Sequence, residues 1–180
     1  MRADWPALAK TEAPVIYDPM CGAGTLLIEA MLMAMDIAPG LLRVDGFSAW
    51  PHHDQGLIDQ IHAEATQRRQ DGAQWSGTAI GSDQDLRALG MARRNAERAG
   101  VWDHVEFLST PITDASVGKP VTLLITNPPY AERLGSDAEV MQLYQQLGEL
   151  IRREAAGADV AVFTARPEWG KLLGIHSHRQ

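Results

Sequence analysis

Asn127-Pro128-Pro129-Tyr130 directly follows the apolar run at positions 121–125. Each proline removes a backbone donor and fixes φ, so the pair ends a strand and holds the backbone behind it stiffly. Fixed in this way, the Asn127 side-chain oxygen and the Pro128 carbonyl can accept the two N–H protons of a conjugated exocyclic amine or amide. The lone pair of such a nitrogen is delocalised, which makes it a poor nucleophile. Two acceptors draw it toward tetrahedral geometry and aim the lone pair at an electrophilic methyl group, so the contribution is one of positioning. Tyr130 can stack on a planar base, a contact worth about 1–3 kcal/mol. The competing reading is a strand-ending turn with a packed tyrosine, and what separates the two is whether the tetrapeptide stands at a ligand crevice.

A second stretch, "DPMCGAGT" from Asp18 to Thr25, joins an apolar strand to an apolar helix. Gly22 and Gly24 permit a tight turn and close approach of a ligand to the backbone, although a loop that merely needs positive φ would use them too. No Lys-Ser/Thr follows the glycines, which excludes a phosphate-cradling loop. Asp18 ends the strand, where it favours a cationic group and disfavours a pyrophosphate. In "AIGSDQD", Asp83 ends another strand, where a carboxylate can accept both hydroxyl protons of a ribose. Together these acids point to a nucleoside that carries positive charge. A nicotinamide nucleotide would want its ribose acid about 20 residues past the glycines. Asp83 lies much farther on, and neither Asp36 nor Asp45 follows a recognisable strand. Asp85 is placed to cap the next helix and is read as structural.

Alternating elements position these residues. Strands are predicted at 15–17, 78–81, 105–108, 121–125 and 159–163, with helices at about 25–35, 84–99 and 136–155. Gly100 suits a helix stop. Ser136 and Glu139 form a capping box ahead of Val140, Leu143, Tyr144, Leu147, Leu150 and Ile151 at helical spacing. Repeated βα units imply an α/β, doubly wound, Rossmann-like parallel sheet of order 3-2-1-4-5. Residues 38–76 break the rhythm and are read as an insertion carrying a polar helix at about 57–70. In such a sheet the winding reverses between strands one and four, and ligands bind beyond the carboxyl ends there. The Asp18 and Asn127 motifs would then flank one crevice.

Composition narrows the setting. A chain of 180 residues with 45% hydrophobic content can form one cored domain. One cysteine, Cys21, excludes an internal disulfide and fits a reducing, cytoplasmic compartment. Cys21 is read as a small packing residue, since it sits beside the glycines and not across from an acceptor base. No apolar run approaches the roughly 20 residues of a membrane span. The histidines show no metal spacing, so no metal is expected. A net charge of −7 suits poorly a protein that grips nucleic acid unaided. Arg68, Arg69, Arg93, Arg94, Arg98, Arg152 and Arg153 fall on predicted helices and read as a solvated face. Arg133, just past Tyr130, is the candidate for a phosphate contact.

The motifs "DPMCGAGT", "GSDQD" and "TNPPYAERLG" resemble those of class I S-adenosylmethionine-dependent methyltransferases acting on amino groups. With "LLIEA", "IAPGL" and "FSAWPHHD", the chain is most similar to the large-subunit ribosomal RNA guanine-N2 methyltransferases, over roughly residues 14–163. The resemblance implies S-adenosylmethionine as cofactor, S-adenosylhomocysteine as product and ribosomal RNA as partner. It places Asp18, Met20, Gly22 and Gly24 at the methionine end, with Pro19 and Gln84 in the same site, Asp83 on the ribose, and Asn127, Pro128, Pro129 and Tyr130 around the target base. A base within paired RNA would have to be extruded to reach Tyr130, at a cost of a few kcal/mol. Adenine-N6 and glutamine side-chain methylation use the same Asn-Pro-Pro-Tyr arrangement and stay open, as does a non-catalytic cofactor-binding module.

Two positions depart from that family's pattern. An acidic residue that reads the adenine amine is usual shortly after the third strand; Pro111 stands near that position and Asp114 follows three residues later as the candidate. Ala131 stands where glycine is common. The family fold also continues with a sixth and a seventh strand, so the chain is expected to be a fragment, with RNA-binding modules in flanking regions and self-association through exposed strand edges as a possibility.

Overall fold

The computed structural model describes residues 4–41, 50–129, 136–164 and 166–175. Its centre is a parallel sheet built from β1 (Val15–Asp18), β2 (Thr78–Asp83), β3 (Val105–Ser109), β4 (Leu123–Thr126) and β5 (Asp159–Val162), in the order β3-β2-β1-β4-β5. β1 pairs on one side with β2, Asp18 opposite Gly81, and on the other with β4, Tyr17 opposite Leu124. The winding therefore reverses at the β1/β4 boundary, as the alternation of elements predicts.

Every β1 residue is buried because both faces of the sheet are covered. Ile16 joins Leu27, Met31, Leu89 and Ala96 beneath α2 (Thr25–Ala34) and α4 (Leu86–Ala99). Val15 and Tyr17 join Leu124, Val140, Tyr144 and Leu147 beneath α5 (Asp137–Glu154). Capping sets the helix starts. Asp85 accepts the Arg87 amide at 2.8 Å, which starts α4 at Leu86, two residues later than its sequence pattern suggests. The Ser136 hydroxyl accepts the Glu139 amide and donates to the Glu139 carboxylate at 2.9 Å, completing the capping box of α5. Gly100, at φ +71°, closes α4.

Between α2 and β2, α3 (Gln55–Gly72) is longer than the predicted helix and has no buried residue. Its C-terminal end is tethered: Arg68 pairs with Asp36, and Gly72 lies so close to the Met35 carbonyl that a Cβ there would overlap it. Two elements that the periodicity does not reveal complete the covering layers. A single turn, α1 (Trp5–Leu8), buries Trp5, whose Nε1 donates to the Ala30 carbonyl at 2.7 Å. A 3₁₀ segment (Pro167–Leu173) packs on α5, where the Arg152 guanidinium donates to the Leu173 carbonyl at 3.0 Å. Strand β4 starts and ends later than the apolar run suggests, because Thr122 is used to bridge its neighbour: its hydroxyl accepts the Val15 amide and its amide donates to the Val15 carbonyl.

Candidate functional site

Where β1, β2, β3 and β4 end, their loops surround a cleft of about 640 Å³. From the first loop Pro19, Met20 and Gly22 face it; from the second, Asp83, Gln84 and Asp85; from β4, Asn127, Pro128 and Pro129. Motifs more than 100 positions apart in sequence thus form one wall, and a turn that merely ended a strand would not require that.

The glycine loop is held by its neighbours. The Cys21 amide donates to the Ser82 carbonyl at 3.0 Å, the Gly22 amide to Asp83 Oδ2 at 2.9 Å, and the Asn95 side chain, through Nδ2, to the Ala23 carbonyl at 3.0 Å. The two glycines serve different ends. Gly22, at φ +53°, has no atom within 4 Å of where a Cβ would sit, and it lines the cleft, so its bareness leaves room for a ligand. Gly24, at φ +79°, caps α2; a Cβ there would meet Ala92 and Phe107 at 3.2 Å, so this glycine serves helix packing and not the cleft wall.

Asp83 is half-buried, and its carboxylate accepts the amides of Gly22 and Asp85, both at 2.9 Å. A carboxylate has about four lone-pair positions, so two remain for hydroxyl donors. Asp18 lies deeper, 2% exposed, with Oδ1 accepting the Met20 amide at 3.1 Å. Burial pushes its carboxyl up to about 7, and the Asp83 charge adds to this against the opposing pull of Thr126 and the Met20 amide. The Thr126 hydroxyl is fully buried close enough to Asp18 to favour its charge, yet among the described residues it has no hydrogen bond of good geometry. A buried acid with an under-used hydroxyl beside it suits a cationic ligand group. Cys21 is buried, and desolvation together with the Asp18 and Asp83 charges raises its thiol far from the thiolate, as a packing residue requires.

Asp114 is exposed and is not part of the cleft wall; the β3–β4 linker faces the cleft with Thr110, Pro111, Ile112 and Thr113 instead. Tyr130 and Arg133 lie outside the described residues. The arginines on helices are more than a solvated face. Arg93 lies over the Trp102 ring at 4.8 Å and pairs with Glu97, while Arg153 donates to the Ala115 carbonyl. Sequence reasoning missed α5 as a wall of the cleft: Glu139, Gln142, Leu143 and Gln146 face it. Their spacing is that of one helical face, which in a sequence looks like any solvated stripe.

Comparison with known proteins decides the family. Residues 7–180 match the family described as RMKL-like, methyltransferase domain. The chain belongs to that family. It is 46% identical, over its whole length, to ribosomal RNA large subunit methyltransferase K/L of Pseudomonas paraeruginosa, of which it covers 25%. Among solved structures it is similar to a possible methylase from Clostridium difficile 630, at TM-score 0.80 and 31% identity, covering 94% of this chain and 45% of that one. It is also similar to SMU.472, a putative methyltransferase complexed with SAH, at TM-score 0.79 and 32% identity, covering 93% of this chain and 44% of that one. The chain thus spans about a quarter of the length of the curated relatives it matches. The family's Rossmann-like sheet is the one built here, in the order 3-2-1-4-5.

Proposed function

We propose that this domain transfers a methyl group from S-adenosylmethionine to the exocyclic N2 amine of a guanine in large-subunit ribosomal RNA. The observation that carries the reading is the single cleft shared by Gly22, Asp83 and Asn127-Pro128-Pro129. The relatives' names support ribosomal RNA as substrate, and the resemblance of "LLIEA", "IAPGL" and "FSAWPHHD" supports guanine N2 over adenine N6 or a glutamine amide.

The residues present fit the cofactor. Asp83 keeps two acceptor positions for the ribose hydroxyls while its other two hold the loops on either side. Asp18, beneath the glycine loop, offers its charge to the methionine ammonium, and Gly22 leaves the space that a chain of atoms needs to pass over the backbone. Bound there, S-adenosylmethionine would supply a sulfonium methyl, with the charge passing from sulfur to the acceptor nitrogen, which sheds one proton to solvent once the methyl is in place, so the site needs alignment more than a strong base. Asn127 and the Pro128 carbonyl accept the two amine protons and turn the lone pair toward that methyl. Pro128 is buried and Pro129 half-buried, which keeps those acceptors from drifting.

The test is incubation of the protein with methyl-labelled cofactor and large-subunit ribosomal RNA, followed by digestion to nucleosides and mass spectrometry. N2-methylguanosine is the expected product. N6-methyladenosine as the labelled nucleoside would overturn the guanine assignment, and transfer to protein glutamine would overturn the RNA substrate.

A further inference from the structure

Asp83, Asp18 and Gly22 leave the base of the cofactor without a reader, because Asp114 does not face the cleft. The geometry points to Gln146, with Gln142 one turn above it, as the residues that read the adenine edge. This inference rests on the cofactor occupying the cleft and is independent of which base accepts the methyl group.

Three observations converge on it. First, the direction of the base follows from the anchors. Asp83 ends β2 and Asn127 follows β4, with β1 between them, so the ribose anchor and the amine acceptor stand about 10 Å apart, two strand spacings. The Thr110 amide donates to the Asp83 carbonyl at 3.1 Å, which starts the β3–β4 linker beside the ribose acid. A nucleoside anchored at Asp83 with its methionine end toward Gly22 therefore sends its base toward the linker.

Second, the linker runs along α5 in a fixed register. Arg153 donates to the Ala115 carbonyl at 2.6 Å, and Glu154 accepts the Val117 amide at 2.9 Å. Gln146 lies seven residues before Arg153 and so about 10 Å higher along the helix. Just before Ala115 the linker folds into a turn, the Asp114 amide donating to the Pro111 carbonyl at 3.1 Å, and this turn presents Ile112 and Thr113 to the cleft. Ile112, Thr113 and Gln146 thus line one cleft, with Leu143 and Ile112 supplying apolar surface for the faces of a purine.

Third, the amides are available. Among the described residues neither Gln142 nor Gln146 has a hydrogen-bond partner, whereas Glu139, the other polar residue of this stripe, is engaged by Ser136. Gln146 is half-buried in the wall. A carboxamide can accept from the 6-amino group of adenine and donate to the adjacent ring nitrogen, a pair that a carboxylate cannot complete.

The experiment is calorimetric titration of the protein with S-adenosylhomocysteine and with its purine analogue lacking the 6-amino group, for wild type, Gln146→Leu and Gln142→Leu, with melting curves to confirm folding. Wild type is expected to bind the analogue about tenfold more weakly. Gln146→Leu should bind S-adenosylhomocysteine about tenfold more weakly than wild type and treat the two ligands alike within about twofold, with a smaller change for Gln142→Leu. Full discrimination retained by a folded Gln146→Leu, or equal weakening of both ligands, would overturn the inference while leaving the cofactor site standing. Absence of any binding by folded wild type would overturn the cofactor site, and this inference with it.

Discussion

The Asp83 carboxylate and the Gly22 amide meet at 2.9 Å across 61 positions of sequence, so the acid that faces the cleft also locks the loop that faces it. Its other oxygen holds the Asp85 amide at the start of α4. Asp83→Ala should therefore lose both a ligand anchor and a loop brace: S-adenosylhomocysteine affinity is expected to fall at least thirtyfold, about 2 kcal/mol, with a lowered melting temperature. Titration and melting of the same sample check both. An unchanged affinity would remove Asp83 from the site.

The two glycines should separate in their effects. Gly22→Ala places a methyl in the cleft but against no protein atom, so it should cost about 1–2 kcal/mol from its left-handed φ and a larger loss in cofactor affinity. Gly24→Ala adds contacts at 3.2 Å to Ala92 and Phe107 to a similar backbone cost, and should destabilise the fold more than it weakens binding at equal folded protein. Chemical denaturation paired with titration distinguishes them.

Asp18 gives the site a pH dependence. Its carboxyl, ordinarily near 3.8, is pushed to about 7 by burial, so the folded protein keeps a proton that the unfolded chain releases. Stability is then greatest below about 4 and declines as pH rises through about 7. Asp18→Asn should melt higher than wild type at pH 8, with the gap narrowing toward pH 5. A cationic ligand group favours the charged carboxylate, so wild-type affinity should rise from pH 5.5 to 7 and then level off. A flat affinity profile would dissociate Asp18 from the ligand.

Much of this site is legible in the sequence because the signals are local. Prolines after an apolar run, glycines between a strand and a helix, and acids at strand ends each have a short-range cause, and the alternation of elements brings them to one edge. The adenine side is not local. Asp114 looks suitable by distance from β3, but the path of its linker is set by Arg153 and Glu154, about 38 residues later, and that path turns Thr110 to Thr113 toward the cleft instead. Likewise Gln142 and Gln146 become a wall only once α5 docks.

Trp5 is illegible for a different reason, since one tryptophan has no period. Its indole bonds the Ala30 carbonyl and meets Trp75 edge-on at 6.2 Å, pinning α1 over α2. Trp5→Ala should cost about 3–5 kcal/mol, measurable by denaturant unfolding, without altering the affinity of the remaining folded protein for S-adenosylhomocysteine.

On this proposal Asn127 orients an amine for methyl transfer without holding the cofactor. The direct measurement is single-turnover methyl transfer to ribosomal RNA by wild type and Asn127→Ala, with cofactor affinity measured on the same preparations. The rate is expected to fall at least a hundredfold, about 3 kcal/mol of transition-state stabilisation, with affinity within about threefold of wild type. An Asn127→Ala protein that transfers methyl at the wild-type rate would contradict it.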